Sequence, residues 1–171
     1  MRPTANGSPH GQWLQSATVI FAALIVAAAL FASRADSEDD VGRVVVEMPG
    51  TLEGLPFSPA MRVDDLVFLS GQIGVDLVSL QLVEGGLEPE TRQTMENIRH
   101  VLEAAGAGLE DLVKCSIFLE DIADWPAFNR IYGEYFQDMP APPARSAFGT
   151  TGLALGATVE VDCIASVPSH D

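Results

Sequence analysis

An α+β fold, with helices laid over a mixed sheet, is what the 171-residue sequence predicts, and three features predict it. Short apolar and β-branched runs bounded by Gly, Pro and polar residues recur at Val44–Val46, Leu66–Leu69, Val113–Leu119 and Thr158–Val167. Two other stretches, opening at Pro89 and at Asp124, repeat apolar residues every three or four positions. The order β β (β) α β α β β suits helices on a sheet, and a chain of this length has room for one proper core.

The chain starts outside that pattern. Residues 1–12 are polar and turn-rich and read as a disordered tail. From Trp13 to Ala32 the chain is apolar, with Ala17–Ala32 broken only by Thr18. Twenty helical residues span roughly 30 Å, about one hydrocarbon core, so residues 13–32 are predicted to be an N-terminal hydrophobic helix, either a transmembrane anchor or a signal peptide. Ser33-Arg34-Ala35 offers a small-x-small cleavage pattern. Arg2 and the amino terminus favour an N-terminus in the cytoplasm, and Arg34 on the far side opposes this. The expectation is a membrane-anchored protein with its domain extracytoplasmic, or an exported one if the segment is cleaved. Residues 33–43, with Asp36, Glu38, Asp39 and Asp40, form an acidic linker, and the folded domain is expected over 44–171.

Within that domain Val44–Val46 suits a strand, and Pro49, Gly50 and Gly54 punctuate a loop. Leu66–Leu69 reads as a buried strand ending at Ser70-Gly71-Gln72, where glycine lets the backbone approach a ligand or a neighbouring chain closely. Leu77–Val83 is a weaker β segment ending at Gly85-Gly86. Met95, Ile98, Leu102 and Ala105 give the first helix its stripe, with Pro89 in the first turn and Gly106 as its stop. After the strand Val113–Leu119, Asp124 is the expected N-cap of a second helix, with Phe128, Ile131, Tyr135 and Phe136 on its apolar face. Pro140-Ala141-Pro142-Pro143 then turns the chain into a strand at Arg145–Phe148, and Thr158–Val167 is the last strand.

Charge and composition exclude some functions. All 24 Asp and Glu but only seven of the nine Lys and Arg lie after residue 35, a formal charge of −17 on that part. Such a surface repels phosphate backbones, so no nucleic-acid partner is expected. Cys115 and Cys163 fall in apolar β-type runs and read as two buried thiols. His10, His100 and His170 form no ligand cluster with them, and no metal is predicted.

Two residues stand out for chemistry. Arg145 precedes a short apolar run, and its planar fork of donors matches a carboxylate bidentately. Glu160, fifteen residues later between Val159 and Val161, can face a partly buried site where desolvation raises its pKa. Spacing alone leaves a second reading open: Arg145 as a surface base, and Glu160 as the outward member of an alternating strand.

Several segments, in order, resemble the RidA (YjgF-type) reactive-intermediate deaminase family: Val67-Phe68-Leu69-Ser70-Gly71-Gln72-Ile73, Thr94-Met95-Glu96-Asn97-Ile98, Leu102-Glu103-Ala104-Ala105-Gly106, Asp111-Leu112-Val113-Lys114, Phe128-Asn129, Tyr132, Pro143-Ala144-Arg145-Ser146 and Val159-Glu160-Val161. The likeness runs from about Leu55 to Val167. It implies a chorismate-mutase-like mixed sheet with two helices on one face, assembled as a homotrimer with pockets at the subunit interfaces. The implied activity is hydrolysis of 2-enamines and 2-imines derived from amino acids to a 2-keto acid and ammonia, with no cofactor. The family's substrate-binding arginine matches Arg145, its pocket glutamate Glu160, and its serine Ser70, with Gly71 beside it; Ser146 is expected to contribute polar backbone contacts.

The chain also departs from the family. Phe57 stands where a pocket tyrosine is usual, keeping the ring without the hydroxyl, and Ala147 replaces a common cysteine. These differences keep a second function in play, a non-catalytic small-carboxylate binding or sensor protein with the same trimer cleft.

Overall fold

The computed structural model describes residues 42–48 and 56–167. Strands β1 (Arg43–Val46), β2 (Ala60–Val63), β3 (Leu66–Leu69) and the two-residue β4 (Gln72–Ile73) precede helix α1 (Leu87–Ala104). Strand β5 (Leu112–Leu119), helix α2 (Trp125–Glu134), β6 (Ala144–Gly149) and β7 (Val159–Ser166) follow. All pair into one sheet in the order β1-β2-β3-β7-β5-β6, with β4 also on β7. Only β5 and β6 run parallel, as a connection through α2 allows; the remaining pairs are antiparallel. β6 is therefore an edge of the described sheet.

The pleat decides which residues form the core. Along β7, Val159, Val161, Cys163 and Ala165 are buried, and along β5 Cys115, Ile117 and Leu119 match them. Met95, Ile98, Val101 and Leu102 of α1 join them in one cluster with Phe128 and Tyr132 of α2 and with Phe136 just beyond it, so both helices cover the same face. The other face carries Phe68, Phe118, Phe148, Glu160, Asp162 and Ile164, and among the described residues no helix lies on it. There Leu66, Phe68 and Phe148 are 40%, 41% and 50% exposed, and the Phe118 and Phe148 rings stack at 5.8 Å.

Several expectations change. Leu77–Val83 is a turn with a single bridge, Val75 to Leu82, because the Asp76 carboxylate accepts from the Val78 and Ser79 N–H groups and diverts the backbone from a ladder. Strands β2 and β4 were not foreseen. Asp124 sits at the N-cap position but makes no side-chain cap; Asp121 caps the preceding single turn by accepting from Ala123 N at 2.9 Å. Tyr135 lies at the rim of the helix interface, where its hydroxyl donates to Arg92 O at 3.3 Å, while Tyr132 is buried. Cys115 and Cys163 are not free thiols. They are direct partners across β5 and β7 and form a disulfide.

The membrane expectation is corrected as well. Among the described residues no helix is long and apolar enough to cross a membrane: α1 has 18 residues but carries Glu88, Glu90, Arg92, Glu96, Arg99 and Glu103, and α2 has only 10. The membrane-anchored or exported placement is withdrawn. The tail at 1–12, the segment 13–32 and residues 33–41 of the linker lie outside the described residues.

Candidate active site

Arg145 sits on edge strand β6 directly opposite Cys115, so with Ala147 it belongs to the helix face of the sheet. Above it runs a stripe of α2: Trp125, Asn129 and Tyr132, spaced four and three apart, with Phe136 four further on. Arg145 Nη2 donates to Asn129 Oδ1. The guanidinium carbon lies 5.0 Å from the Tyr132 ring centre and 5.8 Å from that of Trp125, within cation–π range. Arg145, Asn129 and Tyr132 open on a cleft of about 260 Å³ whose lining also includes Phe136, Pro142 and Pro143. Arg145 Nη1 is buried there without a hydrogen-bond partner, and so is the Tyr132 hydroxyl. Burial pushes the Tyr132 phenol up to about 12, against a smaller opposing effect of the Arg145 charge, so the group is a donor at neutral pH.

Glu160 belongs to the opposite face. It pairs with Phe118 on β5 and Ile73 on β4 and lies over Gly71, where a Cβ would come 1.9 Å from Glu160 Oε1. Only glycine leaves room for the carboxylate in that position. Burial, and then the neighbouring Asp162 charge, raise the Glu160 pKa above its ordinary value. Asn97, 2% exposed on α1, holds this corner: its amide donates to Ile73 O and Val75 O at 2.9 Å each and its oxygen accepts from Gln93 Nε2. The Ser70 hydroxyl donates to Ser58 O at 2.6 Å. Ser146 shares the open face, where its Oγ accepts from Lys114 Nζ at 2.9 Å. Phe57 is 60% exposed.

Within one chain, then, the structure gathers Arg145 with Asn129 and Tyr132, and Glu160 with Gly71. It does not bring Arg145 and Glu160 together. Asn129, Tyr132 and Asn97 entered the sequence reading only as motif residues without a role; the readable signal was two polar groups on the stripe that packs α2. Among the described residues no His, Cys, Asp and Glu side chains are grouped to hold a metal ion.

Residues 52–167 match the family described as Endoribonuclease L-PSP. A 2-iminobutanoate/2-iminopropanoate deaminase of Capra hircus is 42% identical over 110 residues, 64% of this chain and 79% of that protein. Reactive Intermediate Deaminase A, chloroplastic, of Arabidopsis thaliana is 38% identical over 139 residues, 80% of this chain and 73% of that protein. The crystal structure of RidA from an Antarctic Psychrobacter is similar with a TM-score of 0.64 at 31% identity, covering 72% of this chain and 97% of that one. The matched span takes in both helices and every strand from β2 to β7, and the chain belongs to the RidA (YjgF-type) reactive-intermediate deaminase family.

Proposed function

We propose that this chain is an imine/enamine deaminase, a hydrolase acting on C=N bonds that converts 2-enamines and 2-imines derived from amino acids to a 2-keto acid and ammonia without a cofactor. The observation that carries this reading is the buried, unpartnered Nη1 of Arg145 beside a cleft. A desolvated charged donor costs free energy until an acceptor reaches it, and a substrate carboxylate is an acceptor matched to the guanidinium fork. The names of the relatives support the same substrate class.

An enamine first tautomerises to the imine, whose C2 is electrophilic. Water adds to C2 of the protonated imine as Glu160 takes one of its protons, giving a neutral carbinolamine. Glu160 returns that proton to the amino nitrogen, and as the C–N bond breaks the carbinolamine hydroxyl gives its own proton to Glu160, leaving the 2-keto acid and ammonia, which carries that proton away as ammonium. A carboxylate whose pKa is raised is a better base for this step than an ordinary one. Arg145 holds the carboxylate through charge-assisted bonds worth roughly 1.5–3 kcal/mol each. Backbone groups at Gly71 and Ser146 bind polar atoms of the substrate, with Ser70, Phe57 and Ala147 completing the wall. The Ser70 hydroxyl, already donating to Ser58 O, acts by fixing the loop.

Because Arg145 and Glu160 occupy opposite faces, one substrate meets both only where two copies join. We therefore place the site between chains of a homotrimer of chorismate-mutase-like subunits, whose assembly also covers Leu66, Phe68 and Phe148. The test generates 2-aminoacrylate in situ with a dehydratase and follows imine loss with the full chain. Acceleration abolished in Arg145→Ala supports the reading. No acceleration, with 2-keto acids still bound, leaves a binding protein, and acceleration that persists in Arg145→Ala removes the site assignment.

A further inference from the structure

We propose that the Tyr132 hydroxyl is a second ligand-binding donor of the Arg145 cleft, which bonds the substrate carboxylate together with Arg145 Nη1. The inference rests on the carboxylate site proposed above and extends it to a residue on another element.

Two buried polar atoms without partners lie on one stack of side chains. Tyr132 is 4% exposed and its hydroxyl has no hydrogen-bond partner, and the same holds for Arg145 Nη1, whose guanidinium carbon is 5.0 Å from the Tyr132 ring centre. Both residues line the same cleft. A buried donor left unpaired is destabilising, and buried hydroxyls without partners are uncommon enough to need a reason. The ring itself is held independently of the hydroxyl, at 5.4 Å from Phe128 and 4.7 Å from Phe136, so the packing of α2 does not require a phenol. Asn129 Oδ1 accepts from Arg145 Nη2 and leaves Nη1 free for a ligand. A carboxylate has two oxygens and accepts from both donors at once. This donor is separate from position 57, where the phenol is lost and the ring is 60% exposed.

Tyr132→Phe removes the hydroxyl and keeps the ring. Pyruvate and 2-oxobutanoate serve as stable probes, with binding followed by the fluorescence of Trp125, 5.8 Å from the guanidinium carbon. The expected result is a Kd about tenfold higher and a KM raised with kcat little changed. The melting temperature should be equal or higher, since an unpaired donor has gone. A Kd within twofold of the parent's overturns the proposal, as does a lower melting temperature with unchanged Kd, which marks a purely structural hydroxyl. The chain has two tyrosines, so 3-fluorotyrosine labelling gives two signals in the full chain. The one absent from Tyr132→Phe should move when pyruvate is added, and an unmoved signal also overturns the proposal. Arg145→Ala separates the two levels: if it binds pyruvate like the parent, the carboxylate site itself is wrong, whereas if only Tyr132→Phe is silent, Tyr132 alone is excluded.

Discussion

Replacing Gly71 with alanine moves Glu160 while leaving the fold nearly untouched. A Cβ at position 71 lies 1.9 Å from Glu160 Oε1, 2.9 Å from Cδ and 3.1 Å from Cγ. Ordinary carbon contacts need about 3.5 Å, so the carboxylate has to retreat by more than about 1 Å. The atoms in the way are the end of a flexible side chain, and turning it off its preferred rotamer costs of order 0.5–1.5 kcal/mol. Gly71 is not among the positive-φ glycines, so alanine also gains roughly 0.4–1 kcal/mol by restricting the unfolded chain. The two nearly cancel, and the melting temperature should stay within about 5 °C of the parent's. Activity should not survive as well, because a displacement of about 1 Å in a catalytic group costs on the order of a hundredfold. Steady-state turnover of in situ 2-aminoacrylate, beside a thermal melt of the same sample, reads both numbers. A Gly71→Ala protein retaining more than about a third of the parent's kcat/KM refutes the placement of Glu160 at the reacting water, since a positioned base is worth roughly a hundredfold or more.

Glu160 has a folded pKa above its unfolded one, so its contribution to stability is present at low pH and is lost as pH rises through the folded value. Glu160→Gln is expected to be at least as stable as the parent at pH 7, the difference closing in acid, while parental kcat/KM declines as pH falls through the same raised pKa; melts and rates from pH 4 to 8 check both signs. Asn97→Ala leaves the Ile73 and Val75 carbonyls without their buried donor and should lower stability by about 2–4 kcal/mol in urea titration. Reducing the Cys115–Cys163 disulfide, which spans 48 residues of sequence, should cost up to about 4 kcal/mol in the chain-entropy account, read as a lower urea midpoint with reductant present.

The parts legible in the sequence were those whose periodicity is local. The stripe through Met95, Ile98 and Leu102 and the alternation from Val159 to Ala165 each declare a buried face within a single element. Strand β2, Ala-Met-Arg-Val, lacks the β-branched run that marks its neighbours, and its place in the sheet comes from pairing with β1 and β3. Leu77–Val83 misled because its apolar residues look strand-like while Asp76 controls the turn. What no local pattern contains is register. Cys115 meets both Cys163 and Arg145 across its two ladders, which fixes the disulfide and the facing of the arginine at once. The same registers put Glu160 on the far side, a fact invisible in the fifteen-residue interval between the two.

The division of Arg145 and Glu160 between the two faces of the sheet has a genetic consequence. If each cleft takes its arginine from one chain and its glutamate from the next around a ring, two inactive proteins complement each other. An Arg145→Ala chain still supplies a glutamate, and a Glu160→Gln chain still supplies an arginine. Refolded together in equal amounts, they regenerate intact clefts at about one position in four, by random choice of neighbours in a cyclic assembly.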